Sequence, residues 1–272
     1  MKPRFHSRED APRGADASRA AKSASRGHTF LRFFMIIRTL LRGIGIICSM
    51  RAAAWGAFII HSKEVVVMTW EFEQKAWAAG YSAVCGVDEA GRGPIAGPVC
   101  AAAVILPGGI QIEGLNDSKK LSEKKREALF DVITENALAW SVSLVDEKTI
   151  DEINILQATY RAMRQAVEGL TRPADFTYVD GNRSEGLGLP HECVVAGDAK
   201  IPSVAAASIL AKVTRDRLMR RFAEQYPAYG FEKHKGYETR AHDQALLANG
   251  PCPIHRRTFL RKFYEKHPEA PR

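Results

Sequence analysis

An apolar segment that ends on two adjacent acids and runs straight into a glycine-rich turn constrains this chain more than any other feature: Val84-Cys85-Gly86-Val87-Asp88-Glu89-Ala90-Gly91-Arg92-Gly93-Pro94. A short apolar run bounded by Gly and Pro reads as a buried strand, which places Asp88 and Glu89 at a strand end. Carboxylates there suggest a bound cation. The turn then sets Arg92 between two glycines, so backbone N–H groups and a guanidinium lie within a few residues of the acids. That combination suits the grip of a phosphodiester beside a metal.

A buried strand needs partners, and from Met68 onward the chain supplies them by alternating helix and strand signals. Residues 70–79 read as a short helix, with Trp70, Phe72 and Trp77 able to pack on a core, and 83–89 as the first strand. Residues 98–106 form a second, wholly apolar strand after a Gly-Pro turn. Ser122 is the expected N-cap of a helix running to about residue 136, with Leu129, Phe130 and Ile133 on its apolar face. Strands are expected at 140–145, 176–180 and 192–196, and helices at 155–169, 203–225 and 239–248. Small residues at the start of the 203–225 helix allow close packing on a sheet, and its far end turns basic.

Net charge is less informative than it looks. The chain carries +8 in all, but residues 1–63 hold twelve Lys/Arg against three Asp/Glu, which leaves residues 64–272 at −1. Within that body, residues 64–199 are at −9 and residues 200–272 at +8. An acidic half able to hold metal is thus followed by a basic half able to hold phosphate. Residues 1–28, mostly Ala, Ser, Arg and Gly, are expected to be disordered. Residues 29–60 are more apolar, yet Arg recurs too often for a membrane span. They read as a basic amphipathic surface helix, an organellar transit peptide, or an over-long start with the true one at Met50 or Met68; Met68 is favoured. Cys48, Cys85, Cys100, Cys193 and Cys252 form no CxxC pair and read as reduced thiols of a cytoplasmic protein.

Four acids share one context. Asp88 and Glu89 end the first strand, Asp180 ends a later one, and Asp198 follows another, each beside Gly or Ala. Neighbouring strand ends converge on one edge of an open sheet, so these acids can meet despite their separation. Alternation sends Asp88 and Glu89 to opposite faces, but the glycine turn is expected to free Glu89 to swing round. Carboxylates with no nearby Cys and few His select Mg²⁺ or Mn²⁺ over Zn²⁺. Two such ions would bridge a scissile phosphate, and no nucleophilic side chain is needed. The chain therefore reads as a metal-dependent nuclease.

The strings Gly86–Pro94, Leu115-Asn116-Asp117-Ser118-Lys119-Lys120-Leu121, Val179-Asp180-Gly181-Asn182, Gly197-Asp198, Ala206-Ala207-Ser208-Ile209-Leu210-Ala211-Lys212-Val213 and His234-Lys235-Gly236-Tyr237 resemble bacterial ribonuclease HII in content and order, over about residues 70–265. The N-terminal extension departs from that family. The resemblance implies a ribonuclease H-like α/β fold: a mixed five-stranded sheet flanked by helices, with a C-terminal helical extension. Residues 68–200 would be the catalytic core and 201–272 a basic, substrate-binding part of the same domain. It further implies hydrolysis of RNA in RNA–DNA hybrids, and cutting 5′ to single ribonucleotides in duplex DNA to leave 3′-OH and 5′-phosphate ends. Asp88, Glu89, Asp180 and Asp198 match the family's catalytic, metal-binding acids. Gly91, Arg92 and Gly93 match its reader of the ribose 2′-OH, and Tyr237 the tyrosine that packs on the next deoxyribose. Backbone groups exposed by glycine can read a 2′-OH without reading the base.

Lys119 is expected to hold a phosphate. Arg215, Arg217, Arg220 and Arg221 read either as a phosphate track or as the wet face of a helix. His234 and His255 are expected in structural or substrate-facing roles. The type HIII enzyme is an alternative, disfavoured because residues 1–67 do not look like a folded domain; a non-catalytic hybrid-binding protein is another, disfavoured by the four acids. A monomer with no membrane association is expected.

Overall fold

The computed structural model describes residues 68–272; the readings of residues 1–67 lie outside them. Five strands, β1 (Val84–Ala90), β2 (Val99–Ile105), β3 (Ala139–Val145), β4 (Phe176–Asp180) and β5 (His191–Val194), form one sheet in the order β3-β2-β1-β4-β5. The β3-β2-β1 pairings are antiparallel and the β1-β4-β5 pairings parallel, so the sheet is mixed. The helices are α1 (Glu71–Ala78), α2 (Glu123–Asn136), α3 (Glu147–Glu168), α4 (Pro202–Gln225), α5 (Phe231–His234), α6 (Arg240–Asn249) and α7 (Arg261–Lys266).

Strand β2 shows why helices must cover both faces. All seven of its side chains are buried, and they divide with a period of two. Val99, Ala101, Ala103 and Ile105 join Ala158, Ala162 and Met163 of α3. Cys100, Ala102 and Val104 join Leu129 and Ile133 of α2 and Ile209, Leu210 and Val213 of α4. Helix α4 lies hard against the sheet because its first turns are small and because Gly86 has no side chain. A Cβ there would run into the backbone of Ser203 and Val204.

A separate apolar cluster gathers Met219 of α4 with Tyr229, Phe231, Leu246, Ile254, Leu260 and Phe263. Ile95 and Ala96, from the loop after β1, belong to it as well. That loop is laced to the C-terminal segment by backbone bonds: Ile95 N–H donates to Gly236 at 2.9 Å, Gly97 N–H to Ile254 at 2.9 Å and Arg256 N–H to Ile95 at 2.9 Å. The turn beside the acids is therefore built into the C-terminal core.

Element boundaries differ from expectation where capping decides them. Helix α3 begins eight residues before the expected 155, because Asp146 caps a first turn (Thr149 N–H, 2.8 Å) and Asn154, at φ +67°, breaks the helix and re-caps it at Leu156 and Gln157. Strand β5 stops at Val194 because Ala196 turns left-handed, and α4 starts on Pro202, a first-turn position that needs no N–H donor. Ser122 caps α2 as expected, accepting from Lys125 N–H at 3.4 Å. Cys85, Cys100, Cys193 and Cys252 are free thiols. Among the described residues no helix is long and apolar enough to cross a membrane.

Candidate active site

The parallel half of the sheet assembles the acids. In the β1–β4 register Val87 faces Val179, so Asp88 stands beside Asp180, and Asp180 in turn pairs across to Val194. The chain then leaves β5 through left-handed Ala196 into a single 3₁₀ turn, Gly197–Ala199, that carries Asp198. Asp180 fixes this turn by accepting the Gly197 N–H at 2.7 Å. Each of Asp88, Asp180 and Asp198 thereby offers a carboxylate oxygen within 4.8 Å of the other two.

These charges are held against their preference. Asp88 and Asp198 are each only 4% exposed. Burial, then Glu89 and Asp180, push the Asp88 carboxyl well above its ordinary range; burial, then Asp180, raise Asp198. The one cation bonded to the three acids among the described residues is Lys119, whose Nζ reaches Asp198 at 3.4 Å. A buried all-oxygen group with unbalanced negative charge fits a hard divalent cation.

Glu89 is not in this trio. Strand β1 continues through Ala90, which holds Glu89 in the strand, and Arg92 holds its carboxylate at 3.3 Å. Burial raises the Glu89 carboxyl, and Arg92 opposes the rise. Glu89 nevertheless lines the same cleft. That cleft, of about 200 Å³, runs from Asp88, Glu89 and Asp180 along Gly91, Arg92 and Gly93 to Tyr237, and takes in Lys119 and Lys212.

Lys119 sits in the 3₁₀ turn Ser118–Lys120, which Asp117 caps and a Ser208–Ser118 hydroxyl bond of 2.6 Å ties to α4. Its side chain is 77% exposed, and although burial lowers its ammonium, Asp198 and Asp88 bring the net shift upward. Tyr237 is 45% exposed, with its ring edge 3.5 Å from where a Cβ on Gly93 would stand. Gly91 has φ +93°, and a Cβ on it would strike the side chain of Arg215.

The phosphate-track reading of α4 fails. Arg215 is fully buried and donates to the carbonyls of Ala96, Pro98 and Lys235; Arg217 and Arg220 are paired with Glu127, and Arg220 also with Glu123. Only Arg221 of the four is exposed without a salt bridge among the described residues. His234 and His255 take structural roles, His234 bonded to the Tyr229 carbonyl at 2.8 Å and His255 buried against His242 at 2.9 Å. Sequence reasoning missed Arg256. Arg256 lies beside the noticed His255, and nothing local marks it as the buried one of two adjacent arginines.

Known proteins resemble this chain along most of the described part. A ribonuclease HII family model matches residues 85–265. The chain is similar to ribonuclease HII of Endomicrobium trichonymphae, 57% identical over 189 residues, covering 69% of this chain and 90% of that one. Ribonuclease HII of Dechloromonas aromatica is 59% identical over 176 residues, covering 65% and 90%. Among solved structures, ribonuclease H2 of Pyrococcus horikoshii is 29% identical with a TM-score of 0.58, covering 69% of this chain and 100% of that one. Archaeoglobus fulgidus RNase HII, solved in complex with PCNA, is 27% identical with a TM-score of 0.54, covering 65% and 93%. With this sheet and these acids at the ends of its parallel strands, the chain belongs to the ribonuclease HII family and is a ribonuclease H, a hydrolase of RNA–DNA hybrids.

Proposed function

We propose that this enzyme also cuts 5′ to a single ribonucleotide embedded in duplex DNA, leaving 3′-OH and 5′-phosphate ends, with two Mg²⁺ or Mn²⁺ ions in the reacting complex. The observation that carries this reading is one cleft lined by Asp88, Glu89, Asp180, the Gly91–Gly93 turn and Tyr237, with Asp198 within 4.8 Å of Asp88 and Asp180. A hydrolytic centre thus lies within a nucleotide's reach of groups able to inspect one sugar.

In this reading Asp88, Asp180 and Asp198 hold the cations, and Glu89 supplies the fourth carboxylate when a substrate phosphate draws Arg92 away from it. Divalent cations held by these carboxylates would supply an activated water and neutralise the leaving oxygen. Lys119, exposed and tethered only through its tip to Asp198, attracts the phosphate beside the scissile bond. Gly91, Arg92 and Gly93 present main-chain groups to the 2′-OH, and the ring of Tyr237 packs on the deoxyribose that follows. Residues 68–200 are the catalytic core and 201–272 a substrate-binding part of the same domain; the packing of α4 on β1 and the lacing of residues 95–97 to the C-terminal segment support this.

Incubation with a duplex carrying one ribonucleotide, in Mg²⁺, Mn²⁺ or EDTA, tests the reading. Cleavage on the 5′ side of the ribonucleotide is expected with either metal. It should stop in EDTA and fall by orders of magnitude in Asp88→Asn. Undiminished cleavage in EDTA would sink the metal mechanism, and cleavage of long hybrids only would sink the single-ribonucleotide activity.

A further inference from the structure

Two fully buried guanidiniums, Arg215 and Arg256, lie beneath the loop that follows β1. Neither is bonded to a carboxylate. Arg256 donates to the carbonyls of Gly91 (2.6 Å), Arg92 (2.9 Å) and Gly97 (2.9 Å). Arg215 donates to those of Ala96 (3.0 Å), Pro98 (3.0 Å) and Lys235 (2.9 Å). Glu147, itself buried, attracts both charges from a distance. Burial and the neighbouring Arg215 pull Arg256 down to about 9, so it stays cationic at neutral pH. Two buried charges spent wholly on main-chain oxygens are a costly way to fold a loop, and the cost is explained if the loop's conformation is what matters.

The orientation of the loop's peptides follows from geometry. No peptide bond among the described residues is cis. In a trans peptide the C=O of one residue and the N–H of the next point in opposite directions. With the Gly91 and Arg92 carbonyls drawn down onto Arg256, the N–H groups of Arg92 and Gly93 must face away from it. Neither N–H has an acceptor among the described residues. Both residues line the cleft that holds the acids. Consecutive free N–H groups form a concave donor pair for an oxygen.

We infer that Arg256, braced by Arg215, is a positioning residue for substrate discrimination: by pinning the carbonyls of Gly91 and Arg92 it aims the Arg92 and Gly93 N–H groups at the oxygen that distinguishes a ribose from a deoxyribose. This rests on the proposed reading of residues 91–93 and adds what holds them to their task. Arg256 touches no substrate. Its planar fork is what a lysine cannot reproduce, since one ammonium cannot meet three carbonyls in these directions.

The test measures binding in EDTA to two short duplexes identical but for one ribonucleotide. Wild type is expected to prefer the ribonucleotide duplex. Arg256→Lys is expected to keep its affinity for the all-DNA duplex and lose roughly tenfold of the preference, about what one directed hydrogen bond confers. In parallel, amide hydrogen exchange on the full wild-type chain should show Arg92 and Gly93 gaining protection with the ribonucleotide duplex and not with the all-DNA one. If wild type binds both duplexes equally, the reading of residues 91–93 fails and takes this inference with it. If wild type discriminates but Arg256→Lys keeps the whole preference, the positioning role alone is overturned. If Arg256→Lys does not fold, Arg215→Lys, which removes the brace at Ala96 and Pro98, is measured in its place: loss of the preference with all-DNA affinity kept upholds the inference, and a preference kept whole, or no gained protection at Arg92 or Gly93 in wild type, overturns it.

Discussion

Asp88 is a residue whose ionised form the metal-free fold disfavours, and that has a measurable sign. Its carboxyl is raised by burial first and by Glu89 and Asp180 next. A carboxyl raised on folding keeps its proton in the folded chain at pH values where the unfolded chain has lost it. The folded state therefore loses stability as pH climbs above the ordinary value of 3.8. Asp88→Asn removes the burden and should melt a few degrees above wild type in EDTA at neutral pH, with the gap closing as pH falls. Mg²⁺ or Mn²⁺ should raise the wild-type melting point and move the variant less, because the cation binds only the folded site. A variant that melts below wild type in EDTA would show that repulsion is not what Asp88 contributes. Gly91 and Gly93 separate in the same way. Gly91→Ala meets both a positive φ and the Arg215 side chain, and should cost a few kcal/mol of stability together with activity. Gly93→Ala meets only an ordinary contact with Tyr237, so its melting point should stay near wild type while cleavage of a ribonucleotide duplex falls. Equal melting losses in the two variants would contradict this division.

At the scale of elements, strand β1 carries two duties whose outcomes were unequally legible. That it is a buried strand ending in acids follows from composition alone, and so do the later strand ends at Asp180 and near Asp198. Their convergence was legible too, because parallel strands end on one edge. The position of Glu89 was legible in part: it lines the cleft of Asp88 and Asp180, but its carboxylate is held by Arg92. The expected strand stopped at residue 89, which left Glu89 free to swing, whereas the observed strand pairs Ala90 with Cys100 and holds the alternation one residue longer. The basic stripe on α4 was ambiguous for another reason: Glu123 and Glu127, the partners of Arg220 and Arg217, lie on α2, and no local pattern couples the two helices. The contact between α4 and β1 makes its own prediction. Gly86→Ala forces a methyl into the backbone at Ser203 and Val204, and should cost about 1–3 kcal/mol or more as α4 is lifted from the sheet. Urea denaturation measures it, and a wild-type midpoint would mean the helix yields freely there.

At the scale of the whole molecule, β1 packs through Val87 into the sheet's core while the loop after it packs through Ile95 and Ala96 into the C-terminal one, and a buried histidine pair lies against Tyr229 and Phe231 of that second core. Cys252 N–H donates to His255 Nδ1 at 3.0 Å, which leaves the His255 proton on Nε2, 2.9 Å from Nε2 of His242. His242 then donates from Nδ1 to the Tyr237 carbonyl at 3.0 Å. None of this was readable from the sequence, because His242 lies on α6 and His255 beyond its end, 13 residues on, and only the fold turns the two rings together. Burial pushes His242 down to about 4, and burial with His242 nearby pushes His255 down to about 3. Both rings are neutral when folded and take up protons when unfolded at their ordinary value of 6.5. Stability from the pair is therefore complete above that value and falls as pH drops through the window between 6.5 and the folded values, by up to about 1.4 kcal/mol per pH unit for each ring. Thermal melts between about pH 7 and about pH 4.5 should show this decline, and His255→Gln should be weaker at neutral pH but flatter with acid. Because the wire ends on the carbonyl of Tyr237, exchange at residues 234–237 should rise before the sheet amides open. A His255→Gln profile as steep as wild type would assign the acid loss to other groups.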